Sequence, residues 1–145
     1  MKTFFTLMFI SLSLSSYAHN EDKLGPNKGF IQMPGTYHTE IVPTDAKRFN
    51  IYLLDINIKN PLTKNSSVNL IHQASNGTKT SFDCAKTTDH FECVSNKEIN
   101  ITSGKFIINS QRNGIKGRVA EYPLPLKVKD LNSNKPSTHH DMGHM

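Results

Sequence analysis

The final seven residues of this 145-residue chain hold the side chains best suited to chemistry. Three histidines and two methionines stand together there: His139, His140, Met142, His144 and Met145. Imidazole binds Cu(II), thioether sulfur favours Cu(I), and short histidine-rich tracts are typical of metal binding. We therefore expect a copper ion, as Cu(I) or Cu(II), to bind at this end of the chain. The alternative is a solvated end that carries these side chains by chance or as an artificial addition.

A hairpin is predicted ahead of the most apolar part of the chain. Pro34 and Gly35 suit the inner positions of a type II turn, so the strands Phe30–Met33 and Tyr37–Val42 are expected to pair. The next segment, Arg48–Lys59, is rich in β-branched and aromatic residues and places apolar side chains on both parities. This pattern indicates a central strand buried on both faces.

The predicted hairpin carries a second candidate metal site. Alternate side chains of a strand share a face, which places Met33, His38 and Glu40 on one side. Met33 and His38 are therefore candidates to share a metal ion. The alternative is that His38 and Glu40 form the solvent-exposed face of an edge hairpin, while Tyr37 and Thr39 face the core.

The N-terminus has the form of a secretory signal. Within residues 1–18, Lys2 precedes an apolar segment, and the small residues Ser16 and Ala18 fit a cleavage site after Ala18. The mature chain is then expected to begin at His19, in a bacterial periplasm or outside the cell. The apolar segment is too short to span a bilayer, so we expect no stable membrane insertion.

Cys84 and Cys93 are the only cysteines, and an oxidising compartment predicts a disulfide between them. Lys86–Asp89 would be the connection of a hairpin that brings the two cysteines face to face. Two thiolate metal ligands are the alternative.

Turn signals recur through the rest of the chain, including Asn76-Gly77 and Asn113-Gly114, and no segment has a helical pattern. Further strands are expected at Val68–Ala74, Lys79–Cys84, Glu98–Ile101, Lys105–Gln111, Lys116–Tyr122 and Leu124–Val128. About eight strands predict an all-β fold, a small antiparallel β-sandwich of immunoglobulin-like type, with a small barrel as the alternative. The domain would span 24–129, with a flexible tail over 130–145.

Composition argues against several function classes. The net charge of +5 comes from dispersed lysines and arginines, and tryptophan is absent, so no nucleic-acid surface is indicated. The sequence has no nucleophile elbow, no HExxH helix and no glycine-rich phosphate loop, so we do not expect an enzyme. We expect a monomer.

Three segments together resemble a family of periplasmic accessory domains of heavy-metal efflux. They are Gly25-Pro26-Asn27-Lys28-Gly29, the strand Tyr37-His38-Thr39-Glu40 and the strand Tyr52-Leu53-Leu54-Asp55. Lys28 stands where that family has a glycine. The resemblance implies a small β-domain that acts alone or with a heavy-metal efflux component. The tail segment His140–Met145 resembles the Met/His repeats of periplasmic copper-resistance proteins, in a single copy.

Three hypotheses follow. The first is an exported copper-binding accessory or resistance protein. The second is a non-metal β-sandwich interaction module of the envelope or the secreted space. The third is a copper enzyme, since a mature N-terminus at His19 would pair its α-amine with its own imidazole and so resembles a histidine-brace copper site.

Overall fold

A computed structural model describes residues 23–128, and these form two antiparallel sheets without a helix. The predicted all-β sandwich is confirmed. No helix within 23–128 is long and apolar enough to cross a membrane. The predicted signal peptide, His19 and the tail 130–145 lie outside the described residues.

Ten short strands build the sandwich. They are β1 (Phe30–Gln32), β2 (His38–Pro43), β3 (Arg48–Leu54), β4 (Ser67–Gln73), β5 (Lys79–Ser81), β6 (Asp83–Lys86), β7 (Phe91–Val94), β8 (Lys105–Arg112), β9 (Ile115–Lys116) and β10 (Ala120–Pro123). Sheet A has the order β1-β2-β3-β7-β6. Sheet B has the order β10-β8-β4-β5, and β9 pairs with β8.

The core lies between the sheets and is centred on β3, as predicted. Phe49, Ile51 and Leu53 of this strand are completely buried. Phe49 packs edge-on against Phe106 of sheet B, with ring centroids 4.7 Å apart. Because full burial of each such side chain is worth about 1.5–3 kcal/mol, this alternation holds the two sheets together.

The strand β3 is shorter than predicted, because Asp55 ends it. One carboxylate oxygen of Asp55 accepts hydrogen bonds from the backbone N–H groups of Asn57 and Lys59, at 2.9 and 3.0 Å. These bonds compete with a strand ladder. Ile56 is 46% exposed, so the predicted continuation to Lys59 is wrong.

The predicted hairpin is confirmed as β1 and β2, with Ile31 opposite Glu40. The turn type is wrong, since Gly35 does not take the positive φ that a type II turn requires. A longer connection over 33–37 replaces the tight turn. Tyr37 anchors it by donating a hydrogen bond from its hydroxyl to the carbonyl oxygen of Ser110, at 2.9 Å.

The sandwich is closed on one side and open on the other. The predicted strand Lys79–Cys84 divides at the buried Phe82, where the chain passes from β5 in sheet B to β6 in sheet A. On the opposite side, β1 and β10 end their sheets without a connection between them. There the side-chain amide of Gln32 donates a hydrogen bond to the carbonyl oxygen of Glu121.

Three other strand predictions need correction. Glu98–Ile101 and Leu124–Val128 are not strands, although Ile99 is buried in the core and Leu124 and Leu126 pack against it. Their apolar side chains pack against the core, although their backbones do not pair with a neighbouring strand. Lys116–Tyr122 divides into β9 and β10.

The predicted disulfide is confirmed. Cys84 and Cys93 are directly opposite on β6 and β7, with Cα atoms 4.0 Å apart, and their sulfurs are bonded. Cys93 is fully buried, so the bridge faces the core.

Candidate functional site

The outer face of sheet A is covered at His38 and Glu40, where the alternative to a metal site predicted exposure to solvent. His38 and Glu40 are both completely buried. The expectation that they form a solvent-exposed face is therefore wrong. The physical reason is the segment 25–29, which folds back across β2 and removes the Glu40 side chain from water.

The Glu40 carboxylate holds this segment in place. One of its oxygens accepts hydrogen bonds from the backbone N–H groups of Asn27 and Gly29, both at 2.9 Å. Its other oxygen accepts a hydrogen bond from the side-chain amide of Asn27, also at 2.9 Å. A buried carboxylate is costly unless it is hydrogen-bonded, and these three donors supply that compensation.

Glycines allow the segment to approach so closely. A Cβ atom added to Gly25 would lie 2.4 Å from the carboxyl carbon of Glu40. One added to Gly29 would lie 2.5 Å from the carbonyl oxygen of Ile41. Lys28 takes a φ of 61°, in the left-handed region that favours glycine.

His38 lies two residues before Glu40 and has one unpaired ring nitrogen. Its Nδ1 is 3.0 Å from the carbonyl oxygen of Asp55. A carbonyl can only accept, so Nδ1 carries the proton and donates it there. The buried Nε2 has no hydrogen-bond partner among the described residues. In the neutral ring Nε2 is an acceptor, the form in which imidazole binds a metal ion.

Met33, the proposed companion of His38, is partly buried in the connection after β1. Within residues 23–128, no group of three or more His, Cys, Asp or Glu side chains is arranged to hold a metal ion. A site shared by Met33 and His38 stays a prediction, as do the sites at the tail and at His19.

Tyr52 lies on the outer face of sheet A, the face that also carries His38 and Glu40. It is opposite Glu40 in the pairing of β2 with β3, and its ring centroid lies 5.0 Å from that of His90. The side chain of His90 contacts the carboxylate of Asp89, at 2.7 Å between Nδ1 and Oδ1. Partial burial, followed by the charges of Asp89 and Glu40, raises the pKa of Tyr52 above its usual 10.0.

Sequence reasoning did not identify Asn27 or Tyr52 as partners of Glu40. The three segments of the family resemblance nevertheless meet here, since Asn27, Glu40 and Asp55 belong to them in turn. These contacts hold the segments together. Asn27 donates hydrogen bonds to the Glu40 carboxylate, and the backbone carbonyl of Asp55 accepts one from the His38 ring. We call the bonds between Asn27, Gly29 and Glu40 the clamp. His72 of β4 is a packed histidine: it is buried, and its ring centroid lies 5.6 Å from that of Phe106.

Comparison of the chain with protein-family models, with curated proteins and with solved structures finds no match.

Proposed function

We propose that this protein is an exported copper-binding accessory protein, with its copper site in the tail residues 139–145 and the sandwich as their carrier. The observation that carries the proposal is the mixture of donors in that segment. Imidazole suits Cu(II) and thioether suits Cu(I), so one short segment offers ligands to both oxidation states. The five proposed ligands are His139, His140, Met142, His144 and Met145.

The compartment supports the proposal. A disulfide between Cys84 and Cys93 is compatible with an oxidising location outside the cytosol. The signal-like N-terminus favours the same location. In that setting, transfer of copper to a heavy-metal efflux component is the role that the family resemblance suggests.

His38 ranks below the tail as a copper ligand. Its Nε2 has no hydrogen-bond partner within residues 23–128, which supports a metal role for the neutral ring. However, the side chain has no exposed surface, so an ion could reach it only after packed atoms move. We therefore assign Met33 and His38 a secondary role.

A competition titration tests the proposed function. The mature chain, beginning at His19, is titrated with Cu(I), Cu(II), Zn(II) and Ni(II) against chelators of known affinity. Most nitrogen and oxygen sites bind Cu(II) more tightly than Zn(II), so tight Cu(II) binding alone does not identify a copper protein. Binding of Cu(I) is therefore the more specific test. We expect stoichiometric Cu(I) binding that equimolar Zn(II) does not displace. Absence of Cu(I) binding would contradict the proposal.

A further inference from the structure

A cleft of about 440 Å³ lies on the open side of the sandwich, between β1 and the end of β10 with the residues that follow it. Its volume falls within the range of ligand-binding pockets, roughly 300–1,000 Å³. The copper proposal makes no use of this cleft. Most of its lining is apolar and comes from Phe30, Ile31, Tyr122, Pro123, Leu124, Pro125, Leu126 and Val128.

Contacts within the domain hold both walls of the cleft in place. The side-chain amide of Gln32 donates a hydrogen bond to the carbonyl oxygen of Glu121, which joins β1 to β10. The backbone N–H of Leu124 donates to the carbonyl oxygen of Gly104, at 2.9 Å. Leu124 and Leu126 also pack against the core. The cleft is therefore formed by the fold itself, as small-molecule sites usually are.

The backbone of the second wall has few groups to offer a peptide. Pro123 and Pro125 have no N–H, and the N–H of Leu124 is already bonded to Gly104. The carbonyl oxygen of Glu121 already accepts from Gln32. Addition of a strand depends on main-chain hydrogen bonds. This wall therefore favours a ligand whose body needs no hydrogen bonds, such as a hydrocarbon chain.

The charges of the lining favour an anionic ligand. Lys23 and Lys127 both line the cleft, and both are exposed. Glu121 is the one acidic residue of the described lining, and its carboxylate is paired with the ammonium group of Lys105 at 3.0 Å. The described lining thus combines an apolar surface with a net positive charge, which attracts an anion.

From these features we infer that the cleft binds a free fatty acid, with its hydrocarbon chain on the apolar lining and its carboxylate at Lys23 and Lys127. Burial of the chain would supply most of the affinity, because binding removes apolar surface from water. An ammonium group donates charge-assisted hydrogen bonds to a carboxylate, and the flexible lysine stem lets it follow the headgroup. The apolar part of the ligand thus sets its affinity, and the charge sets its orientation.

The test uses the metal-free mature chain and three single-chain ligands: octanoate, decanoate and decylammonium. Binding is followed by amide chemical shifts up to millimolar ligand. We expect decanoate to shift amides of β1 and of residues 121–128. Its two additional methylenes should tighten binding about fifteenfold over octanoate, which corresponds to roughly 1.6 kcal/mol. Decylammonium should bind at least tenfold more weakly than decanoate. Absence of the shifts, or affinities that do not depend on chain length or on charge, would overturn the inference.

A matched pair of valine variants locates the hydrocarbon chain. Val128→Asp places a carboxylate in the cleft, and we expect it to weaken decanoate binding about tenfold. Val119→Asp is the control, because Val119 is similarly exposed, 53% against 43% for Val128, and does not line the cleft. Equal affinities of the two variants for decanoate would contradict the assignment.

A matched pair of lysine variants locates the carboxylate. Replacing Lys23 and Lys127 by Glu should reverse the preference between decanoate and decylammonium. Replacing Lys47 and Lys97 by Glu is the control, because it changes the net charge equally at exposed positions that do not line the cleft. An unchanged preference in the first variant, or the same reversal in both, would overturn the charge argument.

Two further measurements decide against other occupants. Deletion of 132–145 should leave the affinity for decanoate unchanged. A tighter affinity would identify the chain's own tail as the occupant and would overturn the inference. Phosphatidylglycerol vesicles should not sediment the protein, and sedimentation that Val128→Asp abolishes would make the cleft a membrane contact instead. All these titrations are run without metal, so their outcome is independent of the proposed function.

Discussion

Asn27 contacts both oxygens of the Glu40 carboxylate, one through its backbone N–H and one through its side-chain amide, each at 2.9 Å. Thirteen residues separate the two positions in the sequence. This double contact fixes the N-terminal segment across sheet A and buries a charged side chain. The motif that resembles an efflux accessory domain thus contains at least one element whose role is to support the fold.

Removal of the Glu40 carboxylate should strongly destabilise the protein. Glu40→Ala leaves the buried N–H of Gly29 and the two partly buried donors of Asn27 without their acceptor, and we expect a loss of about 2–3 kcal/mol in the free energy of unfolding. Glu92→Ala is the control, because Glu92 is exposed on β7 of the same sheet. It should change stability by no more than about 0.5 kcal/mol. Urea denaturation measures both, and similar small losses would refute the clamp.

Lys28→Gly should stabilise the protein. A left-handed conformation costs a non-glycine residue about 1–2 kcal/mol, while glycine adds about 0.5–1 kcal/mol of unfolded-state entropy. The difference between the two ranges is about 0–1.5 kcal/mol, and its centre predicts a gain of about 0.7 kcal/mol. Lys47→Gly is the control, since Lys47 is also exposed but its φ is not positive, and it should destabilise. If both variants lost stability equally by thermal denaturation, the strain argument would fail.

The core could be predicted from the sequence, whereas the outer face of sheet A could not. The apolar residues on both parities of β3 predicted burial on both faces. This is right for Phe49, Ile51 and Leu53 on the core face, whereas Tyr52 on the outer face is only half-buried. Alternation does not say what covers the second face. Glu40 is buried by the segment 25–29, a tertiary contact that no local pattern records.

Two predicted strands differ from the observed ones in where they end or divide. The end of β3 at Asp55 could have been found, because an Asp side chain readily hydrogen-bonds the backbone two residues on and so starts a turn. The change of sheet at Phe82 could not, since Lys79–Cys84 contains neither proline nor glycine to mark a break. The candidate metal residues could be named from side-chain chemistry alone. The tail candidates and His19 lie outside residues 23–128, so the described structure does not test them.

Acid should weaken the turn at Asp55. Hydrogen bonds from the side chain of Asn60 and the backbone of Lys59 lower the pKa of Asp55 below its ordinary value of 3.8. Since the folded-state pKa is depressed, the stabilisation is present above the unfolded-state value and is lost as the pH falls through the folded-state value. Asp55→Asn removes this titration.

The stability difference between the parent and Asp55→Asn should therefore shrink as the pH falls from about 5 to about 2. Urea denaturation at several pH values measures it. A difference that stayed constant over this range would show that the charge of Asp55 contributes nothing to the turn.

The methionines of the tail should contribute mainly to Cu(I) binding, and its histidines mainly to Cu(II) binding. Replacing Met142 and Met145 by Leu should weaken Cu(I) binding and spare Cu(II), because only the thioethers are lost. Replacing His139, His140 and His144 by Ala should weaken Cu(II) more than Cu(I). Imidazole must be deprotonated to bind a metal ion. The affinity of the parent for Cu(II) should therefore decrease as the pH drops below about 6.5. Equal effects of both variants on both ions would contradict this division.

Deletion of 132–145 tests the central claim most directly. The mature chain with and without this segment is titrated with Cu(I) and Cu(II), and its thermal unfolding is recorded without metal. We expect the deletion to abolish tight copper binding and to leave the melting temperature of the metal-free protein unchanged, because residues 23–128 already supply a core between the two sheets. Retention of parental affinity for both ions after deletion would contradict it.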